Sequence, residues 1–138
     1  MRVVLDTNVL ISGVIATGTP HDVLVAGYNG EYQIVVSVPT LTEFRTTLQK
    51  YPDRFGLDEA EIQQEVETLR YYAEFVDPET DFSVVDADPD DDKFFETAVA
   101  GHADYIVSGD QHLLHVESFR GIDILTPREF YETLTGSH

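Results

Sequence analysis

The sequence predicts an α/β fold, a mostly parallel sheet with helices on both faces. Three observations carry this reading. Short apolar, β-branched runs recur along the chain, as buried parallel strands require. These runs alternate with segments of helical period, the pattern of βαβ units. The first run stops at an acid, Asp6, directly before a helix pattern, which places that acid at the crevice where open α/β sheets do their chemistry.

The elements follow in order. Val3-Val4-Leu5 is the first strand, and Val9 to Ala16 starts a helix that Gly18 and Pro20 interrupt. Pro20 opens a second helix running to Tyr28, with Asn29-Gly30 as its stop. Tyr32 to Val36 is the next strand. After Ser37-Val38-Pro39, Thr40-Leu41-Thr42-Glu43 opens a helix to about Lys50, ended by Tyr51-Pro52. Asp58, with Glu61 three residues on, caps a long amphipathic helix whose apolar face is Ile62, Val66, Leu69, Tyr72 and Ala73. Phe82 to Val85 reads as a strand, Asp86 to Asp92 as an acidic loop, and Lys93 to Ala100 as a helix. A turn at Gly101 to Asp104 leads into the strand Tyr105 to Val107, closed by Ser108-Gly109-Asp110. A short helix carries Leu113 and Leu114, Ile122 to Leu125 is the last strand, and Thr126 to Glu129 caps a final helix to about Leu134. Residues 1–135 are expected to form a single domain, with 136–138 a C-terminal tail.

Composition narrows the function. No apolar run approaches the roughly 20 residues of a membrane helix. One basic residue precedes a strand pattern, so no signal peptide is expected. The absence of cysteine excludes disulfides and thiolate metal sites, and it fits a cytoplasmic protein. Against 26 acids stand 8 bases, a net charge of −18 spread along the whole chain. Such charge suits a halophilic source, where salt screens the self-repulsion; an acidic mesophile protein is the plainer alternative. It argues against binding nucleic acid through a basic face.

Four acids occupy equivalent places. Asp6 and Asp110 end strands, Glu43 lies in the first turn of a helix, and Asp91 or Asp92 starts another. In a parallel sheet these places share one edge, so the four are expected to converge on one crevice. Clustered carboxylates repel one another unless protons or a cation neutralise them. All-oxygen donors without cysteine or a spaced histidine cluster suit Mg²⁺ or Mn²⁺ rather than zinc. Each acid also has a structural reading. Glu43 completes a Thr-x-x-Glu capping box, and Asp91, Asp92 and Asp110 are each placed as helix caps. Asp6 resists that reading most, because a carboxylate ending a buried strand needs partners.

Other features carry less. His112 and His115 are spaced for a metal but read better as an exposed helix face. Phe94 and Phe95 fit core packing better than base stacking. Asp86 to Asp92 lacks the glycine and distal glutamate of an EF-hand loop. No phosphate-cradling glycine loop or serine-hydrolase elbow occurs.

Four segments then carry a resemblance: Val-Val-Leu-Asp6-Thr-Asn-Val-Leu, Pro-Thr-Leu-Thr-Glu43-Phe, Asp-Pro-Asp-Asp91-Asp-Lys-Phe-Phe-Glu-Thr-Ala and Ala-Asp-Tyr-Ile-Val-Ser-Gly-Asp110-Gln-His-Leu-Leu. Together they resemble the PIN domain family (PilT N-terminus-like), closest to the VapC-like toxins of toxin–antitoxin pairs. The resemblance implies a three-layer α/β/α sandwich and metal-dependent endoribonuclease activity on RNA. The family's acid quartet falls on Asp6, Glu43, Asp91 and Asp110, with Asn8 and Ser108 as supporting polar neighbours. Spacing to Ala98 favours Asp91 and spacing to Asp110 favours Asp92; Asp91 is taken. The same resemblance implies a homodimer restrained by a small antitoxin protein.

The mechanism to expect uses one or two Mg²⁺ or Mn²⁺ ions between the carboxylates and a scissile phosphate. Helix N-termini and Arg2, Arg45 or Arg54 would assist binding. Two rivals remain. One is a metal-dependent phosphatase or phospho-acceptor, although Asn8 stands where a haloacid-dehalogenase-like enzyme wants an acid and Ser37-Val38 where a receiver wants aspartate. The other is a non-catalytic PIN-like binding module.

Overall fold

A computed structural model describes residues 1–50, 55–78 and 89–136. The predicted strand at 82–85, most of the acidic loop and Arg54 lie outside the described residues.

The chain runs β1 (Arg2–Leu5), α1 (Thr7–Ile15), α2 (Thr19–Tyr28), β2 (Gln33–Val36), α3 (Val38–Lys50), α4 (Glu59–Tyr72), β3 (Glu74–Phe75), a 3₁₀ turn (Pro89–Asp91), α5 (Asp92–Ala100), β4 (Tyr105–Val107), α6 (Gln111–Val116), β5 (Ser118–Phe119), β6 (Ile122–Leu125) and α7 (Pro127–Thr135). The described strands form one sheet in the order β3-β2-β1-β4-β6-β5. Every pairing is parallel except β5 with β6. The expected α/β architecture is the one observed.

Side-chain alternation along the central strands builds the three layers. Val3 and Leu5 of β1, Ile34 and Val36 of β2 and Val107 of β4 join one core with α1 to α4 and Phe130 of α7. Val4, Val35 and Ile106 point the other way and pack with Phe94, Phe95 and Ala98 of α5 and Leu113 of α6. Both phenylalanines are buried, as core packing requires. In α4, Ile62, Val66 and Leu69 are buried, but Tyr72 is 45% exposed and Ala73 is the C-cap. Ala73 is half-buried against the same core, so of the predicted apolar face only Tyr72 turns largely outward. Among the described residues no single helix is long and apolar enough to cross a membrane.

Local chemistry explains the helix ends. Asp58–Glu61 and Thr126–Glu129 both form capping boxes. The predicted Thr40–Glu43 box does not form. Helix α3 starts at Val38 rather than Thr40, and the Thr40 hydroxyl instead accepts from the Ser37 backbone N–H at 2.9 Å. Glu43 thus sits in the second turn, not the first, and its carboxylate is available for other partners.

Two short strands escaped the sequence reading, β3 at one sheet edge and β5 at the other. Each has two residues, too few to show a period.

Candidate active site

The site is assembled at the C-terminal edge of the central strands. Leu5 of β1 is paired in register with Val107 of β4, so the residues that follow, Asp6 and Ser108, emerge side by side. The Asp6 backbone N–H extends the ladder by donating to Val107 O at 3.0 Å. Asp6 caps α1, its Oδ1 accepting from Val9 N–H at 2.8 Å. Its Oδ2 accepts from the Ser108 hydroxyl. That same hydroxyl accepts from Asp110 N–H at 2.9 Å, and Asp110 caps α6 by accepting from His112 N–H at 2.8 Å. A single serine therefore ties the ends of β1 and β4 together.

Glu43 arrives from α3 and is held at both oxygens. Thr7 Oγ1 donates to Oε2, and Lys93 Nζ of α5 lies 2.7 Å from Oε1. The ion pair spans the sheet's C-terminal edge, joining a helix of one layer to a helix of the other. A buried contact between Ser37 Oγ and Thr97 Oγ1 at 2.7 Å joins the same two layers nearby. Asp91 ends the 3₁₀ turn and stands at the N-cap position of α5 without a side-chain capping bond.

Asp6, Glu43, Asp91 and Asp110 line one cavity of about 220 Å³, together with Thr7, Asn8, Thr47 and Phe94. Asp92, the alternative to Asp91, is not among its lining residues. Asn8 borders the cavity as an exposed residue, whereas Ser108 acts from below through its bonds to Asp6 and Asp110. The sequence reading passed over Thr7, Thr47 and Lys93. For Lys93 a signal existed, since it is one of two lysines in a chain with 26 acids and stands inside the acidic stretch.

Burial sets the electrostatics. Asp6 is 3% exposed, and desolvation raises its carboxyl from 3.8 to about 6. The hydrogen bonds from Ser108 and Val9 oppose that rise, while the charges of Asp110 and Glu43 add to it. A proton or a cation is therefore favoured beside Asp6.

The arginines divide. Arg2, considered above for substrate binding, donates to Gly101 O and pairs with Glu74; it begins β1, at the edge opposite the acids. Arg45 lines a separate cavity with Arg70 and Phe75. His112 and His115 are exposed on α6.

A buried acid at the end of a parallel strand, joined by three further acids at that edge, is the arrangement of a family of nucleases. Residues 2–112 match the PIN domain family, and the chain belongs to it. No curated protein matches the chain. PIN domains are in general nucleases that bind RNA and typically use divalent metal ions.

The residues present suit such an ion by donor chemistry. Every acidic donor around the cavity is a carboxylate, the hard oxygen that Mg²⁺ and Mn²⁺ prefer. Among the described residues no group of three or more histidines, aspartates or glutamates is set closely enough to hold a metal ion together; Mg²⁺ takes one or two carboxylates and keeps several waters.

Proposed function

We propose that the chain is a metal-dependent endoribonuclease that hydrolyses RNA phosphodiester bonds, with Asp6, Glu43, Asp91 and Asp110 as its catalytic and metal-holding acids. One observation carries the proposal: four carboxylates from four separated segments line one small cavity, and the most buried of them has its ionisation displaced toward neutral pH.

The chain's own residues divide the work. Asp6 is fixed by Val9 N–H and the Ser108 hydroxyl, so its carboxylate is aimed before any ligand arrives. Asp110 is fixed by its capping bond to α6. Thr7 and Lys93 orient Glu43 through its two oxygens. Asp91 and Asn8 complete the lining of the cavity, into which the phosphate would enter. When bound, Mg²⁺ or Mn²⁺ supplies positive charge to the scissile phosphate and lowers the pKa of the attacking water. A carboxylate of the quartet takes up the proton that water releases.

The ion also answers the charge problem. A chain of net charge −18 repels RNA, and a divalent ion held in the cavity would offset the acids' negative charge where the phosphate must sit. A salt-rich cytoplasm, as expected for a halophilic source, would screen the rest. The resemblance of the four acid-bearing segments to VapC-like toxins supports a toxin role, with a small antitoxin as partner and a homodimer as the assembled form.

The test is cleavage of a labelled RNA oligonucleotide by the purified chain in Mn²⁺, in Mg²⁺ and in EDTA, with Asp6→Asn alongside. Ion-dependent cleavage that Asp6→Asn abolishes is the expected result. Equal cleavage by the variant, or none by the wild type, overturns the proposal. Labelling by a small phosphodonor would point instead to a phospho-acceptor.

A further inference from the structure

We propose that the cavity lined by Arg45, Arg70 and Phe75 is a substrate subsite for an unpaired nucleotide of the RNA strand, its phosphate on the arginines and its base on the aromatic ring. This rests on the nuclease reading above and names the form of RNA that the site takes.

Phe75 ends β3 and is paired with Val36 of β2. Strand β2 is in turn parallel to β1, the strand whose end delivers Asp6. The ring therefore stands at the same edge of the sheet as the acids, two strands away, about 10 Å at the usual strand spacing. Helix α3 is the wall between the two cavities. Leu41 and Arg45, one turn apart, face a cavity of about 330 Å³. Glu43 and Thr47, offset from them by two residues, face the acids, on the opposite side of the helix.

In a chain with 26 acids and 8 bases, two arginines line this cavity, and among the described residues around it none is acidic. The acids nearest Arg70 along its own helix and strand are engaged elsewhere. Glu67 accepts from the Gln63 amide at 2.8 Å, and Glu74 pairs with Arg2. Two positive charges brought to one cavity without a carboxylate leave an anion as the complementary ligand. A guanidinium offers the planar fork that matches phosphate. The Arg70 guanidinium lies 5.7 Å from the centre of the Phe75 ring, yet that ring is 41% exposed. An exposed ring beside arginines suits a single strand, because it stacks only on a base that is free of a pairing partner. An acidic peptide would use the arginines and leave the ring idle.

Fluorescence anisotropy of a labelled RNA oligonucleotide with the full chain tests this, in EDTA so that no metal-dependent cleavage competes, over a range of salt concentrations. Wild type is expected to bind the single strand more tightly than the duplex of the same sequence. Arg45→Gln and Arg70→Gln are each expected to weaken binding and to flatten the slope of log affinity against log salt by about 0.7. Phe75→Leu is expected to weaken binding about tenfold with the slope unchanged, and Phe75→Tyr, which keeps the ring, to match wild type. Circular dichroism verifies folding, and Phe75→Met replaces Phe75→Leu if the latter loses its native spectrum. Unaltered binding by all three variants, or no binding by a wild type that still cleaves RNA in Mn²⁺, overturns the subsite and leaves the nuclease reading standing. Variants that bind RNA as the wild type does but elute differently on gel filtration mark the cavity as a contact between copies of the chain, which also overturns it. Binding that depends on the three residues, without cleavage in Mn²⁺, upholds the RNA subsite and overturns the nuclease reading. Neither binding nor cleavage overturns both.

Discussion

The Ser108 hydroxyl donates to Asp6 Oδ2 across 102 residues of sequence. The contact exists because β1 and β4 are paired in register at Leu5 and Val107, so the next residue of each strand faces its counterpart. Because the same hydroxyl accepts from Asp110 N–H, it positions two acids at once. Ser108→Ala is expected to remove one bond from a buried carboxylate and to leave Asp110 N–H without its partner. Such losses cost about 1–3 kcal/mol. Chemical denaturation should read that loss. The acid limb of the cleavage rate should also move to higher pH, since the bond holds the Asp6 carboxyl down.

Asp6 itself makes stability depend on pH. Its folded pKa is about 6 against an ordinary 3.8, so between those values the folded chain binds more protons than the unfolded one. The contribution of this group is therefore most favourable below the unfolded value and is lost as pH rises through about 6. The shift corresponds to about 3 kcal/mol at neutral pH. Asp6→Asn, which cannot ionise, is expected to match wild type in acid and to exceed it by up to that amount above pH 6, while losing activity. Urea titrations of both proteins across that range measure the difference, and a constant difference would refute the assignment.

Ion binding should reverse the same strain. An ion that binds only the native state stabilises it by about 3 kcal/mol at a hundred times its dissociation constant, a rise in Tm on the order of 10 °C for a domain of this size. Millimolar Mn²⁺ is expected to raise the Tm of the wild type and EDTA to reverse the effect. Asp6→Asn should show little of either.

Packing away from the site can be tested without touching the chemistry. At Gly27 of α2 an added Cβ would lie 2.6 Å from Ile34 Cδ1 and 3.0 Å from the Tyr32 ring. The helix propensity of alanine favours the change by about 1 kcal/mol, but overpacking of this degree costs about 1–3 kcal/mol. Gly27→Ala is therefore expected to lower stability, read by thermal unfolding. Ion binding should stay intact, since Ile34 faces the core from the strand whose other end feeds α3.

What the sequence determined by itself was whatever one element or its nearest neighbours encode. The apolar runs at Val3-Val4-Leu5, Ile34-Val35-Val36 and Tyr105-Ile106-Val107 are strands because their side chains are buried on both faces of a sheet. The capping boxes at Asp58 and Thr126 were readable because both partners lie within one turn. What only the tertiary structure decided were relations between distant segments. The edge strands Glu74–Phe75 and Ser118–Phe119 exist through a neighbour's hydrogen bonds, not through any period of their own. Thr40 and Glu43 have capping-box spacing, yet Ser37 claims Thr40 while Thr7 and Lys93 claim Glu43. A side chain's spacing fixes which partners are within local reach. Which partner it takes is settled by the competition that packing creates, and no single stretch of sequence contains all the competitors.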